Sequence, residues 1–266
     1  MRTMLLDVPG FIASLGLPGG CRVDQRVPKK LLLENGAPTA ADKRLIADTV
    51  EEIQWVAALK PNTIGVADYR DDQREYLEIA VLAVTLRSQP GQEKAKPANA
   101  ARLAELVHRA VPYPVLLLLC SGQSMTLSLA HKRWAQNEAG KVVLDGGLVA
   151  ASLPEDAPGA DAMDAFMQTV VLARQPRSSL LALYQGWMDG VQALLAAKMT
   201  GAFKAADSPK QAAARRHALQ ECVRLEAEAA RLRAQAGKEK QLARQVELNL
   251  ALKRVLAQLA AAREQL

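Results

Sequence analysis

The sequence predicts an α+β fold, in which a mixed, mostly antiparallel sheet with packed helices is followed by a C-terminal helical or coiled-coil region. Two runs, 76–87 and 115–120, predict the centre of the sheet because both faces of each are apolar. After Ser208 and Pro209 the composition is almost purely helix-forming, with apolar residues at alternating spacings of four and three. At 266 residues and 50% hydrophobic content, the chain can form one medium domain with an appendage.

The stretch 27–66 organises the first half of the chain. Thr39, with Asp42 three residues later, predicts a capped helix start. We predict a helix from Thr39 to Leu59, ended by Lys60 and Pro61, because a residue before proline avoids the helical region. Its apolar face is Ile46, Val50, Ile53 and Ala57. A short strand is predicted over 63–67.

The remaining elements of the sheet follow in order. A strand over 76–87 precedes a loop over 88–98, and a second helix is predicted over 103–111. The strand over 115–120 returns through the alternating residues 125–129, and Val142 to Ala150 predicts a last strand, with Gly146 and Gly147 as a turn. Short turns require antiparallel neighbours, whereas the helical crossover allows one parallel pair.

The predicted organisation has five parts. Residues 1–22 form a lead-in, 23–152 the α+β domain, 153–177 a linker, 178–206 a packing helix and 207–266 the C-terminal coiled-coil helices. The last part is either one coiled coil with a discontinuity or two helices folded back as a hairpin. Asn249 is either a buried residue that fixes register or a residue on a solvated face.

The net charge of +6 is concentrated near the C-terminus. From Asp207 onward twelve basic residues oppose seven acidic ones, a balance of +5. This bias favours an acidic partner, nucleic acid included, although a solvated charged helix explains it equally well. The candidate nucleic-acid-binding residues are Lys29, Lys30, Lys43, Arg44, Lys60, Lys132 and Arg133, with ordinary surface charge as the alternative.

The sequence does not point to a reaction. It contains no phosphate-binding loop, nucleophile elbow or dinucleotide fingerprint, and its three Cys and three His residues are scattered. We therefore predict no metal and no cofactor. Glu78 with Lys132 is the alternative, as the carboxylate and lysine of a diverged metal-dependent nuclease. No apolar run approaches the roughly 18 residues of a membrane span, and no signal peptide is recognisable, so a cytoplasmic setting is expected.

Several short segments, taken in order, carry a family resemblance. They are Pro28-Lys29-Lys30-Leu31, Asp42-Lys43-Arg44, Leu59-Lys60-Pro61, Ala110-Val111-Pro112-Tyr113-Pro114, Lys132-Arg133, Thr200-Gly201 and Lys238-Glu239-Lys240-Gln241. Together they resemble a family of uncharacterised bacterial proteins catalogued as a domain of unknown function. The resemblance covers most of the chain from Val23 onward.

The resemblance implies a genomic context but no particular functional residues. Members of that family are often encoded beside a DNA methyltransferase and a helicase-like ATPase, in clusters that resemble restriction-modification or phage-defence systems. The implied function is a non-catalytic accessory or adaptor subunit that binds such proteins and, as an open alternative, DNA. The family brings no established catalytic residues. The other hypotheses are the diverged nuclease and a coiled-coil regulator that self-associates through its C-terminal helices without contacting nucleic acid.

Overall fold

The computed structural model describes residues 7–87, 97–122, 124–136, 138 and 140–266. The predicted loop 88–98 lies mostly outside these residues. Along the described chain the elements are α1 (Val8–Ser14), β1 (Arg22–Arg26), α2 (Lys29–Gly36), α3 (Ala40–Thr49), β2 (Val50–Leu59), α4 (Pro61–Ile64), β3 (Tyr69–Arg70), β4 (Glu75–Tyr76), β5 (Ile79–Leu86), α5 (Pro97–Ala110), β6 (Val115–Ser121), β7 (Ser124–Trp134), β8 (Val142–Leu153), α6 (Ala160–Thr169), α7 (Leu180–Thr200), α8 (Pro209–Lys238) and α9 (Leu242–Arg263).

The sheet confirms the predicted fold class. Six strands lie in the order β1-β2-β5-β6-β7-β8, and β3 pairs with β4 in a separate ribbon. All neighbours in the large sheet are antiparallel except β5 and β6, which are parallel and connected through α5. Most of the predicted strand over 76–87 forms β5, although Tyr76 belongs to β4. β5 and β6, which contains the predicted strand over 115–120, lie at the centre, where both faces are buried.

Helices cover the two faces of the sheet. Successive residues of a strand point to opposite faces, so neighbouring side chains on β7 identify which helix covers which side. Lys132 bonds to carbonyls of the segment that ends α5, whereas His131 bonds to Gln185 of α7. The core on the α5 side contains the apolar residues Leu32, Ile46, Leu82, Val84, Leu103, Leu106 and Leu117.

The predicted helix over 39–59 is wrong in its second half. Thr39 does cap a helix, and its Oγ1 accepts a hydrogen bond from the Asp42 amide, but that helix ends at Thr49. Residues 50–59 form β2, which pairs with both β1 and β5. The β-branched residues Val50, Ile53 and Val56 favour a strand, and the ladder on each side satisfies the backbone there.

Two shorter predictions also need correction. Residues 63–67 do not form a strand, because Pro61 begins the single-turn helix α4 and Gly65, in a left-handed conformation, ends it. Gly146 and Gly147 lie inside β8 rather than in a turn. The pairing of β7 with β8 shifts beside them, and Gly146 has a φ of +83°, so the pair forms an irregularity in an edge strand.

The chain divides into two compact units, one ending at Val191 and the other spanning Gln192–Leu266. In the second unit α8 and α9 fold back on each other as a hairpin, the arrangement that the sequence left open against a single interrupted helix. Glu239 accepts hydrogen bonds from the amides of Lys240 and Gln241 at the bend. Asn249 is exposed, so it lies on the solvated face.

Among the described residues, no helix is long and apolar enough to cross a bilayer.

Candidate interaction surfaces

The predicted basic residues divide into exposed and partnered groups. Lys43 and Arg44 are exposed in the first half of α3, and within the described part of the chain neither has an acidic partner. Lys30 is exposed and lies 3.6 Å from Glu34, one turn along α2. Lys43 and Arg44 are therefore available to a ligand in solution, whereas Lys30 is exposed beside an acidic partner. None of these three side chains is buried.

Lys29 lies at a mixed-charge groove at the start of α2. Its ammonium donates a hydrogen bond to the Val50 carbonyl. Burial lowers the pKa of Lys29, and the positive charges of Arg87 and Arg26 lower it further. The groove, of about 330 Å³, is also lined by Glu51 and Glu52, so it presents both signs of charge rather than a basic pocket.

Lys132 is a buried cation, not a surface one. Its side chain is buried in the α5-facing layer, where the ammonium donates hydrogen bonds to the His108 carbonyl at 2.6 Å and to the Val111 carbonyl. A cation at the carboxyl end of a helix complements the helix dipole and the unpaired carbonyls there. Burial lowers the pKa of Lys132 to about 7. These contacts support a structural role in joining β7 to α5.

The two residues of the nuclease alternative have different partners. The Glu78 carboxylate is buried, and its Oε2 lies 3.1 Å from the Lys60 ammonium, while its Oε1 has no hydrogen-bond partner. Lys132 bonds to the α5 segment instead. In the described ranges no group of three His, Cys, Asp or Glu residues could hold a metal ion. The nuclease alternative stays a prediction.

His108 and Ser128 form a second buried pair beside Lys132. His108 Nε2 lies 3.1 Å from Ser128 Oγ, and both residues are fully buried. Burial lowers the pKa of His108 to about 3, and the nearby Lys132 charge acts in the same direction. The pair has the composition of a nucleophile and a base, but solvent and substrate cannot reach it. It is therefore part of the core.

A directed chain of hydrogen bonds was missed by sequence reasoning. Tyr76 donates to His131 Nδ1 at 2.5 Å, because His131 Nε2 must carry the hydrogen that it donates to Gln185 Oε1 at 2.7 Å. Gln185 then donates to Asp189 at 2.8 Å. The three rings of Tyr76, His131 and Tyr184 lie 5.6–6.0 Å apart. No motif signals this cluster, because the rings of Tyr76, His131 and Tyr184 are more than fifty residues apart in sequence.

Charged residues flank that aromatic cluster. Arg74 donates to Asp145 from Nε at 2.9 Å and Nη2 at 2.5 Å, and Arg133 lies 3.7 Å from the same carboxylate. Arg133, predicted to contact nucleic acid, is thus shared between Asp145 and the Trp134 carbonyl. The predicted residues Lys60 and Arg133 both have acidic partners, which lowers the charge they present to a ligand.

The second unit presents an apolar surface on α9. One side of α9 packs on α8 through Val255 and Leu259, which are both 7% exposed. A second side carries the exposed apolar row, which consists of Leu242, Val246, Leu250 and Leu256, at 76%, 49%, 53% and 37% exposure. Residues three, four or seven apart share a side of a helix. The sequence predicts a coiled-coil register in which Leu242, Asn249 and Leu256 alternate with Leu252, Leu259 and Leu266; only Leu242 and Leu256 of the exposed row belong to it.

These features define an α+β protein with a C-terminal helical hairpin. The chain belongs to the family described as Domain of unknown function (DUF4391), whose model matches residues 15–259. The sequence resemblance to a domain of unknown function is confirmed by this match. Neither a curated protein nor a solved structure matched the chain.

Proposed function

We propose that this protein is a non-catalytic accessory or adaptor subunit of a DNA-modification or phage-defence system, and that its C-terminal hairpin binds a protein partner. The exposed apolar row on α9 carries the proposal. Monomeric proteins expose single apolar residues routinely, but a row of large ones on one side of a helix is typical of an interaction surface. An amphipathic helix that leaves such a side uncovered is a recurrent docking element.

The energetics support binding through this row. Covering a Leu or Val side chain contributes about 1.5–3 kcal/mol relative to leaving it in water, so four of them supply a useful part of a micromolar affinity. The hairpin also needs no rearrangement to bind. Val255 and Leu259 already hold α9 on α8, so the row is preformed and little ordering entropy is lost on association.

The identity of the partner rests on the family resemblance. Its members are often encoded beside a DNA methyltransferase and a helicase-like ATPase, and these two proteins are the first partners to test. DNA is a further candidate ligand, through the exposed Lys30, Lys43 and Arg44 of the first unit. A cytoplasmic location, as expected from the sequence, fits a role beside such enzymes.

Co-purification tests the proposal directly. The chain would be co-expressed with the methyltransferase and, separately, with the helicase-like ATPase encoded beside it, and complexes would be quantified by size-exclusion chromatography. We expect a complex with at least one of them. The variant Leu250→Glu should abolish it, because a carboxylate would then occupy the centre of the row.

Val223→Glu is the matched control. Val223 is 67% exposed on α8, outside the row, so the same kind of substitution there should leave the complex intact. Loss of the complex in both variants would point to damage to the hairpin. Failure of the wild-type chain to bind either protein would refute the accessory role with these partners.

A further inference from the structure

We propose that the exposed apolar row of α9 binds an amphipathic helix of the partner that carries a carboxylate opposite Lys253. This inference rests on the proposed function and adds the chemistry of the partner's side of the interface. Lys253 is three residues after Leu250 and three before Leu256, so its stem rises from the same side of α9 as the row. It is exposed, and no acidic side chain of the described chain pairs with it.

The position of Lys253 restricts what can cover the row. A helix laid on Leu250 and Leu256 removes water from the ammonium between them. An ammonium that loses its water without gaining a partner is strongly unfavourable, whereas one that meets a carboxylate retains its charge at much lower cost. The lysine therefore selects against neutral or basic helices and for acidic ones, as charged positions in coiled coils select partners.

The charge of the surrounding unit acts in the same direction. Residues 192–266 contain fourteen basic and seven acidic residues. Arg263 and Glu226 form an ion pair at 2.8 Å that links the two helices of the hairpin. Beside the row, Arg254 has no acidic partner in the described chain, and Glu247 is the nearest acidic residue in sequence. An acidic partner is therefore attracted at long range as well as at contact.

Three pairings of the row with that of a second copy of this chain are unfavourable. In a parallel pair in register, or in an antiparallel pair centred on Lys253, the two ammonium groups face each other. An antiparallel pair centred on Leu250 does bring Lys253 to Glu247 of the other copy. The same register, however, places Val246 opposite Arg254, so the apolar row is no longer covered by apolar side chains.

Two synthetic peptides test the charge selection. Both are amphipathic 21-residue helices with Leu at the repeating apolar positions; one carries Glu at the flanking positions and the other Lys. Fluorescence anisotropy with the full chain at about 0.1 M salt should show at least tenfold tighter binding of the Glu peptide. Lys253→Glu should weaken that peptide about tenfold and improve binding of the Lys peptide.

Lys210→Glu is the matched control, because it makes the same change in net charge at the exposed first turn of α8. It should change either affinity less than twofold. Equal effects of Lys253→Glu and Lys210→Glu would show that the preference for the Glu peptide depends only on net charge, and would overturn the inference. A concentration-dependent dimer in sedimentation experiments, abolished by Leu250→Glu, would overturn it in favour of a second copy.

The two proposals fail separately. If the methyltransferase and the helicase-like ATPase do not bind but the peptide preference holds, the accessory role with these partners fails and the partner chemistry stands. If a methyltransferase complex is lost in Leu250→Glu but unaffected by Lys253→Glu, the accessory role stands and the acidic-helix inference fails.

Discussion

Arg102 of α5 donates two hydrogen bonds to the carboxylate of Asp42 of α3, from Nε to Oδ1 at 2.8 Å and from Nη2 to Oδ2 at 2.9 Å. Thr39 donates a third hydrogen bond to the same carboxylate, at 2.7 Å. The capped start of α3 is thereby joined to the helix that crosses between the two parallel strands. The bidentate geometry is the strongest form of such a pair because both oxygens are engaged.

Asp42 should contribute an acid-sensitive part of the stability. The hydrogen bonds from Arg102, then that from Thr39, lower the pKa of Asp42 to about 2. A carboxyl whose pKa is lower in the folded state stabilises the fold above its unfolded pKa and loses that contribution as the pH falls toward 2. Urea unfolding at pH 4, 3 and 2 should show this loss in the wild type and much less of it in Asp42→Asn. The exposed Asp48→Asn is the control and should resemble the wild type.

His108 should make the free energy of unfolding depend on pH at milder acidity as well. Its pKa of about 3 means that, between about pH 6.5 and 3, the unfolded chain binds a proton that the folded chain excludes. Stability is therefore complete above this window and falls as the pH falls through it. His108→Gln should flatten the pH dependence of the urea midpoint between pH 6.5 and 4. An unchanged slope would contradict this, and the exposed His217→Gln provides the comparison.

Tyr184 should stabilise the join between α7 and the sheet. Its hydroxyl accepts a hydrogen bond from the Ala130 amide at 2.9 Å and donates to the Val115 carbonyl at 2.7 Å, while the ring is fully buried. Tyr184→Phe keeps the ring but leaves these backbone groups unpaired, at a cost of about 1–3 kcal/mol. Denaturant titration measures the difference. Tyr113→Phe, at a 37% exposed residue, should stay close to the wild type.

The two apolar sides of α9 should respond differently to truncation. Leu259→Ala removes a side chain packed on α8 and should lower stability by about 2–5 kcal/mol, because a cavity forms. Leu242→Ala should change it by less than about 0.5 kcal/mol, since that side chain is 76% exposed. Thermal unfolding followed by the helical circular-dichroism signal compares them. Equal destabilisation would mean that the exposed row is already covered within the molecule.

Nucleic-acid binding, if present, should depend on exposed cations only. In a DNA-binding titration across a salt series, the double variant Lys43→Gln, Arg44→Gln should reduce the logarithmic salt slope by roughly two. Lys132→Met should leave the slope unchanged, because the buried Lys132 ammonium donates its hydrogen bonds to the His108 and Val111 carbonyls. Absence of binding by the wild type at low salt would remove DNA from the list of partners.

The central strands and the helices α7 and α8 were predictable because their patterns are unambiguous. Residues 79–86 and 115–121 are apolar on both faces, and α7 and α8 follow uninterrupted helical spacings. The change from α3 to β2 was missed because Ile46, Val50 and Ile53 fit a helical repeat as well as a strand. Pairing with β1 and β5, which spacing along the chain does not reveal, decides the second half.

The site residues were less accessible to sequence reasoning. Lys132 lies in an exposed-looking run, His131-Lys132-Arg133, yet the alternation of β7 turns its side chain inward toward α5 while His131 points to α7. The contact between Tyr76 and His131 joins residues 55 positions apart. Such contacts depend on the order of strands in the sheet, which spacing along the chain does not encode. Of the exposed row on α9, only Leu242 and Leu256 belong to the heptad pattern that the sequence predicts, and that pattern does not show that their side of the helix stays uncovered.

The two outer strands of the sheet have a consequence for how the protein can aggregate. At one border β1 is five residues long and exposes Arg22, Asp24 and Arg26; at the other, Gly146 and its neighbour break the regular ladder of β8. Short, charged or broken borders give an incoming strand few consecutive backbone groups to pair with. Aggregation of the folded protein should therefore proceed through contacts between helices, and Leu250→Glu should reduce it. The aggregates should not show the dye binding that is typical of amyloid.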